Sequence, residues 1–145
     1  MAAATAPVFD VPGYKIATSP DLSKPETRTR LSPTALKSFF AIVEEWSLSM
    51  NHAADLLGKS RSGIYKLRSS QPVLSQDELT RISYLIGINK ALHVVFPKKL
   101  AQLWMMRPND HPLFHGETPL AYVVRTGIPG LELVRRMLDR ARVGN

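Results

Sequence analysis

The chain has 145 residues, 44% of them hydrophobic, no cysteine, and a formal charge of +7 with a pI near 10. That length holds one compact domain or two small ones; the missing cysteine excludes disulfides, thiolate nucleophiles and cysteine-ligated metals; the charge favours a polyanion or an acidic protein as partner. The most apolar run, Ile82 to Phe96, is broken by Gly87, Asn89, Lys90 and His93, short of the ~20 apolar residues of a membrane span, and the N-terminus lacks the layout of a secretory signal, so a cytoplasmic protein without membrane contact is expected.

Residues 1–30 hold four of the eleven prolines and no helical apolar period, the composition of a flexible N-terminal arm. Ser32 and Pro33 then read as cap and first position of a helix over Pro33 to Ser47, with Leu36, Phe39, Phe40, Val43 and Trp46 on one face. Ala53, Ala54, Leu56 and Leu57 describe a short second helix stopped by Gly58, and Ser60 caps a third carrying Ile64 and Leu67 inward. Ser75-Gln76-Asp77-Glu78 is a capping box for a fourth, running to about Val95 and ended by Pro97. Lys98 to Met106 reads as a further short helix with Leu100, Leu103 and Trp104 inward. Arg107 to Gly116 is a loop. Thr118-Pro119 opens a helix to about Arg125, broken at Gly127, and Pro129 opens the last one, with Leu131, Val134, Met137, Leu138 and Ala141 in register. No segment alternates with period two for long, so the fold class is all-α: a helix-turn-helix N-terminal bundle followed by a small helical region.

The second and third helices have the steric pattern of a helix-turn-helix: small Ala54 at the crossing, Gly58 in the turn, and Leu57, Ile64 and Leu67 facing inward. From Leu57 to Pro72 there are four cations and no carboxylate. The candidate DNA-binding residues are Lys59, Ser60, Arg61, Ser62, Tyr65, Lys66 and Arg68, with Arg61 placed to read a base and Lys59, Lys66 and Arg68 to neutralise phosphates. Gly63 counts against this assignment, because glycine inside a helix costs ~1 kcal/mol relative to alanine.

Other chemistry finds little support. His111 and His115 have the spacing of two helical metal ligands, but Pro112 and Gly116 argue against a helix and no third ligand is near, so no metal site is expected. Glu44 and Glu45 are adjacent on a helix and diverge, and neither a Gly-rich phosphate loop nor a nucleophile elbow occurs. Neither enzymatic activity nor a cofactor is expected.

The run Trp104-Met105-Met106-Arg107-Pro108-Asn109, followed by Leu113, Thr118-Pro119-Leu120, Gly127 and a last helix from Leu133 to Gly144, resembles the toxin-binding region of Xre/MbcA/ParS-type antitoxins, which in that family follows a helix-turn-helix. The resemblance covers roughly Leu31 to Asn145. It implies an antitoxin, itself no enzyme, that pairs with a RES-domain toxin acting on NAD by degradation or ADP-ribosyl transfer. By the same resemblance the last helix and tail cover the toxin's NAD pocket, while the helix-turn-helix represses the shared operon. Trp104, Pro108 and Asn109 match the motif and are read as core and loop-shaping residues. The candidate toxin-binding residues are Arg135, Arg136, Arg140, Arg142, Val143, Gly144 and Asn145, since arginine suits the anionic groups of such a site. The expected organisation is an arm over 1–30, a helix-turn-helix and dimerisation region over 31–96, and a toxin-binding region over 97–145. Expected partners are a RES-domain toxin, operator DNA and a second copy of the chain, with apolar residues among Ile82 to Phe96 as dimer contacts within a larger toxin–antitoxin complex. Alternatives are an antitoxin acting by protein interaction alone, its helix-turn-helix degenerate, and a stand-alone regulator.

Overall fold

A computed structural model of the chain describes residues 20–143 in full, and ahead of them the backbone of a minimal antiparallel pair, β1 (Asp10–Val11) and β2 (Tyr14–Lys15), in register Asp10↔Lys15 and Val11↔Tyr14. The arm expected over 1–30 therefore falls largely outside the described residues. Its last part is helical, because α1 runs Pro25–Glu45 rather than from Pro33. Pro25 stands in the first turn beside Glu26, where a missing N–H costs nothing and a carboxylate suits the helix dipole. The lead-in is tied down by Arg28, whose Nη1 donates to the carbonyls of Leu22 and Ser23, both at 2.9 Å.

Ser32 is consequently not a cap. It is buried inside α1, where its hydroxyl donates to the Arg28 carbonyl at 2.6 Å and accepts from the Leu74 N–H at 2.8 Å. This fastens the loop after the helix-turn-helix to α1.

The short helices α2 (Met50–Leu57) and α3 (Arg61–Ser70) follow, and then α4 (Gln76–Val95), the spine of the molecule. Leu79, Ile82, Leu85, Gly87, Ile88, Ala91 and Leu92 of α4 are buried, and α1, α2, α5 and α7 all pack on it. Most of the apolar residues expected at a dimer surface are thus core, because α4 is covered on more than one side. From α1 the core receives Leu36, Phe39, Ile42 and Val43, and from its C-cap Trp46. Between these two helices lies a polar clasp. The Trp46 indole N–H donates to Asn89 Oδ1 at 3.0 Å, Asn89 Nδ2 donates to Glu45 Oε1 at 2.9 Å, and His93 Nε2 lies 2.6 Å from Glu45 Oε2. Burial would raise the Glu45 carboxyl, but the bonds from Asn89 and His93 outweigh it and hold the group below the usual carboxylate range.

After Pro97 come α5 (Lys98–Leu103), a 3-10 turn over Trp104–Met106, a second over Pro112–Phe114, α6 (Pro119–Thr126) and α7 (Ile128–Val143). The inward residues of the first pair are Ala101 and Met105, fully buried, while Leu100 and Leu103 are 47% and 37% exposed, opposite to the expectation. Thr118 caps α6 by accepting from the Ala121 N–H at 3.1 Å. Leu131, Val134 and Leu138 carry α7 onto the core. No helix among the described residues is long and apolar enough to cross a membrane.

Candidate nucleic-acid and partner interfaces

The helix-turn-helix is held by local caps as well as by its core. At the start of α2 the Ser49 hydroxyl accepts from the His52 N–H at 3.1 Å, and His52 Nδ1 accepts from the Ser49 N–H at 3.3 Å, so this histidine completes a capping box. Gly58 ends α2 with φ +65°, the left-handed region open to glycine. Ser60 then caps α3 by accepting from the Gly63 N–H at 3.0 Å. Ala53, Ala54, Leu56, Leu57, Ile64 and Leu67 are buried as the motif requires.

With Ile64 and Leu67 inward, helical geometry puts Ser62, Tyr65, Lys66 and Ser69 on the outermost line of α3, with Arg61 and Arg68 along one flank. Arg61 and Lys66 are exposed and carry no ion pair among the described residues, and Tyr65 is 46% exposed. The other candidates are differently employed. Ser60 is spent on the cap. Arg68 leans back toward α1 and the start of α2, its guanidinium 6.0 Å from the centre of the Phe40 ring and its Nη1 3.8 Å from Met50 Sδ.

Lys59, expected as a free phosphate-binding cation, is paired: its Nζ lies 2.7 Å from Glu78 Oε2. The other carboxylate oxygen of Glu78 accepts from the Ser75 N–H at 2.8 Å, within the capping box of α4. Burial works to raise the Glu78 carboxyl, but Lys59 and the Ser75 N–H prevail and hold it below its ordinary value. The expected penalty at Gly63 also has a local reason. A Cβ there would stand 3.1 Å from Ser60 Oγ, closer than most such contacts, so glycine leaves room for the cap.

Arg81 is a residue that sequence reasoning missed. Its Nε donates to Asp77 Oδ1 at 2.7 Å and its Nη1 to the Leu56 carbonyl at 3.2 Å, so it caps α2 from α4 and lies against Gly58. Its spacing from Asp77 was visible as an i,i+4 pair; its reach to the turn was not.

In the C-terminal part, α7 separates the candidate arginines. Arg135 pairs with Asp139 at 3.2 Å and lays its guanidinium over Gly87 of α4, where a Cβ would overlap it. It is therefore part of the α4–α7 packing. Arg136 is exposed and pairs with Glu132 at 2.6 Å, and Arg142 lies 3.8 Å from Asp139. Arg140 has no ion pair among the described residues, and Val143 is 83% exposed. Gly144 and Asn145 lie outside the described residues.

Beside α7 runs a groove of 620 Å³ between Phe96, Trp104, His111 and Leu113 on one hand and Leu133, Arg136, Met137 and Arg140 on the other. The motif residues shape it. Asn109 Oδ1 accepts from the His111 N–H at 2.9 Å, and His111 Nδ1 accepts from the Leu113 N–H at 3.1 Å, which fixes the loop. His111 thus has a local role, and His115 ends the turn in the left-handed region with φ 49°. Phe114 anchors the loop, edge-on to Trp104 at 5.7 Å and to Tyr122 at 5.4 Å. Trp104 is only partly buried and lines the groove, so it is a surface as well as a packing residue.

Two family models match the chain in succession: an antitoxin Xre-like helix-turn-helix domain over residues 27–87, and an antitoxin Xre/MbcA/ParS C-terminal toxin-binding domain over 91–144. An uncharacterized protein, y4oB of Sinorhizobium fredii (strain NBRC 101917 / NGR234), is 32% identical over 124 residues, covering 84% of this chain and 95% of its own length. Among solved structures, a chain in the crystal structure of the M. tuberculosis MbcT–MbcA toxin–antitoxin complex shares the fold, with a TM-score of 0.52 and 22% identity over 75% of this chain and 94% of that one.

Proposed function

The chain belongs to the Xre/MbcA/ParS family of antitoxins, with a helix-turn-helix domain and a toxin-binding domain, and on that premise we propose that it neutralises a RES-domain toxin acting on NAD and represses its own operon. Occlusion is assigned to the end of α7, where Arg140 and Val143 are exposed, and to the residues that follow. Operator binding is assigned to α3. The observation that carries the DNA reading is that Tyr65 and Lys66 stand on its outer face and Arg61 on the flank beside Tyr65, with both cations unpaired among the described residues. Arg61 is near the N-terminal end of α3, the end that meets base edges in this motif. A homodimer on two half-sites, working in the cytoplasm, completes the proposal. The apolar groove of 310 Å³ between α1 and α4, lined by Leu22, Leu31, Ala35 and Ile86, is its candidate contact.

Two measurements test it. In a gel shift on the chain's own promoter, Arg61→Ala and Lys66→Ala should each weaken binding, and the salt dependence should fall by about one counterion per lost phosphate contact. Wild type that fails to shift the promoter at low salt would leave an antitoxin acting by protein interaction alone, a reading favoured by the commitment of Lys59 to Glu78. For the toxin, NAD consumption by the product of the adjacent reading frame should be suppressed by the full chain and restored when residues 142–145 are removed. Suppression by the shortened chain would rule out occlusion by the tail.

A further inference from the structure

The Phe96 and Trp104 rings, 6.5 Å apart and tilted by 31°, line two grooves at once: the one of 620 Å³ beside α7 and a smaller one of 190 Å³ beside α5. They form an aromatic ridge with a furrow on each flank. Leu100 rises from the smaller furrow, 47% exposed, and Leu133 from the larger, 41% exposed. A surface of this kind, apolar on both sides of a half-buried tryptophan, is a recognition feature rather than scattered surface leucines.

Two further observations say what fits it. The residues lining the furrows include Arg107, Arg136 and Arg140 and no carboxylate. Of these only Arg136 has an ion pair among the described residues, with Glu132. Moreover, the Trp104 indole N–H makes no hydrogen bond within the described residues and is not buried, whereas that of Trp46 is bonded to Asn89. Among the described residues the ridge thus offers an unused donor at its crest and two unused cations at its edges.

We infer that this ridge is the primary docking surface for the toxin, and that it straddles an acidic, apolar segment of that protein. Apolar side chains of the segment fill the furrows against Leu100 and Leu133. A carbonyl or carboxylate accepts from the Trp104 indole, and further carboxylates meet Arg107 and Arg140. The inference rests on the antitoxin reading and extends it, because it places the binding energy on the ridge and leaves the end of α7 to block chemistry. Charge complementarity selects the occupant, and the surface lies within the stretch matched by the toxin-binding domain model.

The test is titration calorimetry of the full chain against the purified product of the adjacent reading frame. Leu100→Glu and Leu133→Glu change exposed positions and add a charge that an acidic segment repels, so each should weaken binding at least tenfold while the thermal midpoint stays near wild type. Trp104→Phe keeps the bulk and removes the donor, and should cost several-fold. Removing residues 142–145 should restore NAD consumption with less loss of affinity than either glutamate variant. If wild type binds and the glutamate variants bind as tightly, the ridge is overturned and the antitoxin reading stands. If wild type does not bind, both fall. Sedimentation of the chain alone separates the remaining occupant: a dimer dissolved by Leu133→Glu would assign the ridge to a second copy and overturn the inference.

Discussion

Glu78 closes the cap of α4 and holds Lys59 at the same time, so one carboxylate joins the helix-turn-helix turn to the central helix. Its folded pKa lies below the unfolded value, as does that of Glu45 in the clasp with Asn89 and His93. A depressed carboxyl contributes stability that is present above the unfolded pKa and is lost as pH falls through the folded one. Resistance to urea should therefore fall from about pH 4.5 downward. Glu78→Gln should lower stability at pH 7 by about 1 kcal/mol and flatten that acid limb; an unchanged limb would remove the group from the account. Ser32 makes the same kind of link by other means. Ser32→Ala leaves the buried Leu74 N–H without its acceptor and should cost about 1–3 kcal/mol in chemical denaturation. Sequence placed Ser32 in a cap because Ser-Pro is the expected helix start, and few apolar residues upstream betray the turns that precede it.

At the scale of elements, the helix-turn-helix was legible because its signals are local. Gly58, Ser60, Ile64 and Leu67 each act within a turn of where they stand, and each does what its residue type suggests. Gly58→Ala should cost about 1 kcal/mol, since φ +65° is unfavourable to an L side chain although the nearest atom to a new Cβ, on Arg81, is an uncrowded 3.6 Å away. Asparagine at the same place should cost less; equal losses in a thermal melt would point to packing instead. The α5 segment was misread for the opposite reason. Over so few residues, Leu100, Leu103 and Trp104 fit a helical face as well as Ala101 and Met105 do, and small Ala101 gives no hydrophobic signal of its own. What decided the rotation is tertiary: α5 packs on α4, and Ala101 is fully buried. The same rotation turns the leucine outward and creates the smaller furrow.

At the scale of the molecule, α4 spans about 30 Å at helical rise. Its first turn holds Lys59 beneath the helix-turn-helix, and the residue after it, Phe96, begins the aromatic ridge. The candidate DNA-binding and toxin-binding surfaces are therefore opposite uses of one rod, and the rod is covered by α7. A fragment ending at Phe96 keeps the whole helix-turn-helix but loses Leu131, Val134 and Leu138 from the core. It should show a broadened, low-midpoint urea transition; a sharp transition near that of the full chain would show that the first half stands alone. Cutting after Leu133 removes Val134 and Leu138 and should do similar damage, so only the last few residues can be deleted to test the tail by itself. Of the arginine cluster, sequence could not tell which members face outward, because Arg135 and Arg140 are separated by their angle about α7 and not by type.

The contact between Gly87 and Arg135 carries a consequence for how such chains recombine. Gly87 closes the stretch matched by the helix-turn-helix model, and Arg135 lies within the stretch matched by the toxin-binding model. The vacancy at one is filled by the guanidinium of the other. Gly87→Ala gains helix propensity of about 1 kcal/mol but evicts Arg135 from the surface of α4, so alanine should be better tolerated when position 135 is also alanine, a coupling that a double-mutant cycle reads directly. Halves exchanged between relatives would inherit that bargain only as a pair, and a chimera that kept the arginine but lost the glycine would begin its life with a steric debt at its own seam.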